Sequence, residues 1–112
     1  MAEQDLGSSS LGMKPNLAAL LSYLAGLITG IIFFLLEKEN KYVRFHAMQS
    51  ILTFGFFFAL NLVLSFIPVV GWSIMPLVGV VQLVLWVILM VKAYQGERFK
   101  LPVVGDMAEK NA

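Results

Sequence analysis

The sequence contains no cysteine and a single histidine. The missing cysteines exclude disulfide bonds, thiolate catalysis and cysteine-ligated metal sites. With one histidine and no carboxylate inside the long apolar runs, the chain cannot assemble a nucleophile–base pair or a metal cluster. We therefore expect a protein without enzymatic activity, cofactor or metal site.

Charge is also scarce, since Asp, Glu, Lys and Arg make up 13% of the residues, against about 25% in ordinary soluble domains. They are absent from Pro15 to Leu36 and again from Phe45 to Val91. A net charge of +1 gives no electrostatic footprint for nucleic acid. What is abundant is apolar surface, at 59% hydrophobic residues, and uncharged runs of this length indicate membrane spans. The lipid bilayer is the expected partner.

The two uncharged runs predict three helices. Asn16 offers an N-cap, and a helix over 16–36 would be about 31 Å long, which matches one crossing of the hydrocarbon core. The second run is too long for one span, and Pro68, Gly71 and Pro76 break it. The predicted organisation is a tail at 1–14, a membrane domain at 15–96 with helices at 16–36, 42–67 and 76–94, and a polar tail at 97–112.

This pattern predicts an all-α integral membrane protein with a three-helix transmembrane bundle, in which the second helix has an amphipathic start. Three spans place Lys14 alone on one side and the other seven basic residues on the opposite side. The positive-inside bias then predicts a cytoplasmic membrane protein with its N-terminus outside and its C-terminus in the cytoplasm. A cytoplasmic N-terminus would instead require a fourth span.

The first helix carries small residues at intervals of four, which fall on one side of a helix and let another backbone approach closely. The stripe packs either on the other helices of the same chain or on a second copy or membrane partner. Its members are Ala18, Ser22, Gly26 and Gly30.

The second helix carries a polar stripe that consists of Tyr42, His46, Gln49, Thr53 and Asn61. One interpretation is a polar path or small ligand site. The other is structural, with these side chains bonding the ends of neighbouring helices.

Between the runs lies a short charged segment, residues 37–44. Its basic residues Lys38, Lys41 and Arg44 are expected to set the topology and to contact lipid headgroups. The acidic pair Glu37 and Glu39 is expected to be solvated.

Two segments resemble a known family. They are Lys41-Tyr-Val-Arg-Phe-His-Ala-Met-Gln-Ser50 and the ending Ala93-Tyr-Gln-Gly-x-x-Phe-x-Leu-Pro102-x-x-Gly-Asp106. They resemble a bacterial family of small membrane proteins of unknown function, which includes MamF- and MmsF-like magnetosome proteins and is similar to the twenty-kilodalton Tic component of chloroplast import. The matching motif positions are Phe45, His46, Ala47 and Gln49.

The resemblance implies a polytopic protein of the bacterial inner membrane, and the plastid relatives are associated with protein conduction. Two functions are therefore considered. The first is a non-enzymatic structural or assembly component that associates with itself or with a membrane-protein partner. The second is a component of a channel or of a protein or solute translocation system.

Overall fold

The computed structural model describes residues 12–112, so most of the predicted N-terminal tail lies outside the described residues. The described part is all-helical, and its helices Lys41–Ser65 and Val70–Tyr94 are long and apolar enough to cross a membrane. Each would be about 37 Å long at 1.5 Å per residue, which exceeds the ~30 Å of a hydrocarbon core. The helices are α1 (Pro15–Leu24), α2 (Leu27–Leu36), α3 (Lys41–Ser65), α4 (Val70–Tyr94) and α5 (Val104–Asn111).

Helices α1 and α2 form a hairpin rather than the single helix predicted over 16–36. At the start of α1, the Asn16 amide donates to the Tyr94 carbonyl oxygen at the end of α4. Near the end of α1, the Trp86 indole donates to the Tyr23 carbonyl oxygen, so α1 runs antiparallel to α4. Helix α2 then returns, because its Phe34 carbonyl oxygen lies 3.0 Å from the Arg44 guanidinium at the start of α3.

The chain reverses at Ala25 and Gly26, where Gly26 has φ +59°, a conformation that favours glycine. The polar groups of the reversal are bonded within the protein. The Ala25 N–H donates to the Thr29 hydroxyl, which donates to the Ser22 carbonyl, and the Ser50 hydroxyl donates to the Gly26 carbonyl. Irregular backbone at membrane depth requires such bonding. An uncharged run long enough for one span therefore forms two half-length helices.

The hairpin brings the start of α1 to the same end of the molecule as the start of α3 and the end of α4. Lys14 lies at this end, together with every other charged residue of the described part, and we call it the charged end. The opposite end is the uncharged turn between α3 and α4. Three crossings would place Lys14 opposite the C-terminal segment, so the predicted separation of the two termini is wrong for this fold.

The turn into α4 repeats at the start of α5. Both helices begin at the second valine of a Pro-Val-Val-Gly sequence, and the first valines, Val69 and Val103, have φ of 68° and 66°. In each turn the N–H of the second valine donates to the proline carbonyl oxygen two residues earlier, at 2.8 Å and 2.6 Å. These are γ-turns. Each turns the chain sharply before a helix begins.

This turn geometry changes two predicted boundaries. Because the reversal is complete by Val69, α4 begins at Val70 rather than at Pro76, and Pro76 lies inside the helix. The polar tail predicted at 97–112 contains helix α5, which packs against α3.

The core joins α1, α3 and α4 below the charged end. Ala19 and Tyr23 of α1, Tyr42 and Phe54 of α3, and Leu89 and Ala93 of α4 are buried together. By contrast, most large apolar side chains of α4 and the outer side of α2 are exposed. Such surfaces suit hydrocarbon rather than water.

We predict that Gly71→Ala destabilises the protein while Gly79→Ala does not, although both lie in α4. A Cβ at Gly71 would clash with the carbonyl oxygen of Leu64, whereas a Cβ at Gly79 meets nothing within 4 Å. Overpacking costs about 1–3 kcal/mol, while alanine in an open helical position gains up to about 1 kcal/mol. The measurement is the free energy of unfolding in mixed micelles. Equal effects of the two substitutions would contradict the turn geometry.

Candidate functional site

A cluster of three polar side chains lies in the core near the charged end, and we call it the polar cluster: Tyr23, His46 and Gln49. The Tyr23 hydroxyl lies 2.6 Å from His46 Nδ1 and 2.9 Å from Gln49 Nε2. All three residues are fully buried. Tyr23 comes from the half-length helix α1, and the other two residues lie one turn apart on α3.

The bonding partners determine the proton positions in the polar cluster. His46 Nε2 lies 2.9 Å from the Glu97 carbonyl oxygen, and a carbonyl oxygen only accepts, so Nε2 carries the proton. Nδ1 of the neutral ring therefore accepts from the Tyr23 hydroxyl. The same hydroxyl accepts from the Gln49 amide. His46 is fixed in one tautomer with both ring nitrogens bonded.

Gln49 binds the backbone that follows α4. Its Nε2 donates to the Phe99 carbonyl oxygen at 2.8 Å, and its Oε1 accepts from the Leu101 N–H at 3.0 Å. With the bond to Tyr23, both N–H groups of this amide and its oxygen are bonded within the protein. In residues 97–101, which we call the strap, His46 and Gln49 of α3 therefore bind backbone groups.

Tyr42 extends these contacts to the end of α4. Its hydroxyl lies 2.5 Å from the Ala93 carbonyl oxygen and 3.2 Å from that of Glu97. Its ring packs edge-on against His46, with centroids 4.6 Å apart. Tyr42 therefore joins α3 to the last turn of α4 and to the strap.

The predicted polar stripe divides into three environments. Tyr42, His46 and Gln49 join the contacts just described. Thr53 is buried, and its hydroxyl is the one buried side-chain polar atom without a partner among residues 12–112. Asn61 lies apart and donates to the Phe57 carbonyl oxygen of its own helix. The five residues form no continuous polar path.

The predicted small-residue stripe lies inside the chain. Ala18, Ser22 and Gly30 are buried, and a Cβ at Gly30 would lie 3.0 Å from Ser50 Cβ. A Cβ at Gly26 would lie 3.2 Å from the Phe54 ring. The small residues allow the hairpin to pack closely on α3.

Two residues of the charged segment have roles that the sequence did not indicate. The Arg44 guanidinium donates to carbonyl oxygens of Phe34 and Glu37 at the end of α2 and of Ala112 after α5, so it binds helix C-termini rather than headgroups. Glu37 is fully buried instead of solvated, and its carboxylate accepts from the Asn40 N–H. Lys38 and Lys41 are exposed at the charged end.

Helix α5 is tied to the strap by exposed ion pairs. Lys100 Nζ lies 2.5 Å from Glu109 Oε1 and 3.7 Å from Asp106 Oδ1. The hydrogen bond to Glu109 raises the pKa of Lys100 above its ordinary value, and the same bond lowers the pKa of Glu109. Both groups remain charged near neutral pH.

The polar cluster binds backbone groups of the strap through His46 and Gln49. No group of three or more His, Asp or Glu side chains in the described part is arranged to hold a metal ion. Sequence reasoning missed Tyr23, Trp86 and the strap. The signal for Tyr23 was present, since a tyrosine in the middle of an uncharged run needs a hydrogen-bond partner.

Comparison with known proteins identifies the family. A family model described as the magnetosome magnetite crystal formation protein family, MamF/MmsF, matches residues 9–108. The chain belongs to that family. No solved structure matches the chain.

Three relatives carry the name UPF0132 membrane protein. One from Methanocaldococcus jannaschii is 51% identical over 94% of this chain and 94% of its own length. One from Archaeoglobus fulgidus is 55% identical over 88% of this chain and 95% of its own length, and a second from M. jannaschii is 45% identical over 90% and 72%. These relatives are archaeal, and the resemblance to the plastid component stays a prediction. The family is one of membrane proteins.

We predict that Gln49→Leu releases the strap. The change leaves the Phe99 carbonyl and the Leu101 N–H without their partners, and each buried unpaired group costs about 1–3 kcal/mol. Hydrogen exchange at the Leu101 amide should accelerate, and the free energy of unfolding should fall.

Thr53→Val is the matched control, because it removes a buried hydroxyl that has no partner. This variant should be as stable as the parent or more stable. If Gln49→Leu leaves exchange at Leu101 unchanged, the strap is held by other contacts.

Proposed function

We propose that this protein is a non-enzymatic structural or assembly component of a membrane, whose membrane-embedded part holds a charged platform on one face. The observation that carries the proposal is the closure of the polar cluster. The hydrogen bonds of Tyr23, His46 and Gln49 are directed to each other and to the strap. These side chains support architecture and are not free to bind a substrate.

The proposed topology has two crossings and one re-entrant hairpin. Helices α3 and α4 cross the bilayer, whereas α1 and α2, about 15 Å each, enter from the charged end and return at Gly26. All eight Lys and Arg residues of the chain then lie on one side. The positive-inside bias makes that side cytoplasmic. Both termini are cytoplasmic without a fourth span.

The platform consists of the segment 38–41, in which Lys38, Glu39 and Lys41 are exposed, and of helix α5. Arg44 connects them to the membrane-embedded helices because its guanidinium binds the ends of both α2 and α5. Because Arg44 holds the platform in a fixed position, its surface is suited to binding a second copy or a membrane-protein partner. The family description refers to crystal formation, but the proposal takes support from this chain's own geometry.

A second candidate function is a component of a conducting or translocating system. One observation favours it, because half-depth hairpins occur where backbone lines a cavity in the membrane. The polar stripe of α3 is not continuous, because Thr53, whose hydroxyl has no partner among the described residues, separates Asn61 from the polar cluster. This favours the structural or assembly function.

The topology predicts which positions react from outside. The chain has no native cysteine, so Lys14→Cys, Glu39→Cys, Met107→Cys and Phe66→Cys can be introduced singly. In intact cells, a membrane-impermeant maleimide should label Phe66→Cys alone, because only the uncharged turn faces outward. Labelling of Lys14→Cys from outside would support the topology with three spans and overturn the hairpin topology.

The assembly function predicts protein contacts at the platform. A photoreactive amino acid at Lys38 should form adducts with a second copy or with one membrane protein in native membranes, while the same group at Phe66 forms lipid adducts. Vesicles that contain the purified chain should show no ion or solute flux above empty vesicles. Lipid adducts alone at Lys38, with flux abolished by Gln49→Leu, would instead establish the conducting function.

A further inference from the structure

A groove of about 510 Å³ lies beyond the tip of the hairpin, on the side away from the charged end. The hairpin returns at Gly26, opposite Phe54, whereas α3 continues to Ser65. Within residues 12–112, the half of α3 and α4 beyond Phe54 therefore has no third element beside it. Gly79 lies in the groove wall, and a Cβ built there meets no atom within 4 Å.

The side chains that line the groove are apolar except for two amides. Aromatic residues Phe54, Phe58 and Trp86 contribute much of it. Asn61 lies four residues before the end of α3, about 6 Å from that end. Gln82 lies deeper, one turn before Trp86. An apolar cavity of this size with few polar groups is typical of a small-ligand site.

The groove is open along one side and suits a narrow occupant. A helix from a second copy, about 10–12 Å wide, could place only a ridge of side chains in it. A hydrocarbon chain is narrow enough to enter along the groove.

We propose that the groove binds one acyl chain of a glycerolipid from the leaflet opposite the charged end. The chain fills the space below the hairpin tip between α3 and α4. A backbone oxygen of the lipid accepts from the Asn61 amide, which keeps one N–H after its bond to Phe57. The Gln82 amide gains no partner from an acyl chain, and this gives the two amides opposite effects on binding.

The test uses the full chain in phosphatidylcholine vesicles doped with a phosphatidylcholine that carries a diazirine in its acyl chain. After irradiation, adducts are mapped by mass spectrometry. Adducts should concentrate on Phe58 and Leu83, which line the groove, above those on Val80, which is 60% exposed and lies outside the groove lining.

Gly79→Leu should reduce groove adducts several-fold because its side chain occupies the groove, and Val80→Leu is the matched control with no such effect. Asn61→Leu should lower the adduct yield and Gln82→Leu should raise it. Far-ultraviolet circular dichroism establishes that each variant is folded.

Equal adduct density on groove and outward residues, or a yield unaffected by Gly79→Leu, would overturn the proposal. Loss of groove adducts with Gln82→Leu, together with crosslinks between two copies through this face, would also overturn it and assign the groove to a second copy.

Discussion

The hydrogen bond between the Tyr23 hydroxyl and His46 Nδ1, 2.6 Å long, joins the half-length helix α1 to the long helix α3. The Tyr23 hydroxyl also accepts from Gln49, and His46 also binds the Glu97 carbonyl oxygen. The bond therefore connects the hairpin, α3 and the strap. In hydrocarbon, an unpaired polar group costs several kcal/mol. Each of these polar groups is the hydrogen-bond partner of another, so none of the side chains can move without leaving a partner unpaired. The close packing of Gly30 on Ser50 and the position of the strap both depend on this closure.

The sequence was sufficient for the helical class and for α3 and α4, because uncharged apolar runs of this length are typical of membrane-spanning helices and Pro68 marks the reversal. The hairpin was not predictable by the same reasoning. The run from Pro15 to Leu36 has the length of one span. The positive φ of Gly26 depends on tertiary contacts, because it becomes favourable only when α3 supplies Ser50 and Phe54. The boundary of α4 was misjudged for a local reason, since Pro76 fits a first helical turn as well as a helix interior.

Of the candidate site, His46 and Gln49 were identifiable as polar residues on one side of a helix. Their partners were not, because the strap contributes backbone groups, which any sequence provides. A readable signal was overlooked in the repeated Pro-Val-Val-Gly at 68–71 and 102–105. Because the same four residues form the turn into α4, their second occurrence at 102–105 predicts that another helix, α5, begins there.

The placement of every described charge at one end has a consequence for how the protein enters a membrane. In the proposed topology both hairpins, α1–α2 and α3–α4, open toward the cytoplasm. The segment that passes fully through is then the uncharged turn of residues 66–69 with the apolar residues that flank it. Basic residues cost about 2.5–3.5 kcal/mol each at the centre of a span, and none has to cross. Insertion can therefore proceed by partitioning of apolar hairpins from one face, and the driving force is the transfer of side chains such as those of α4 into hydrocarbon.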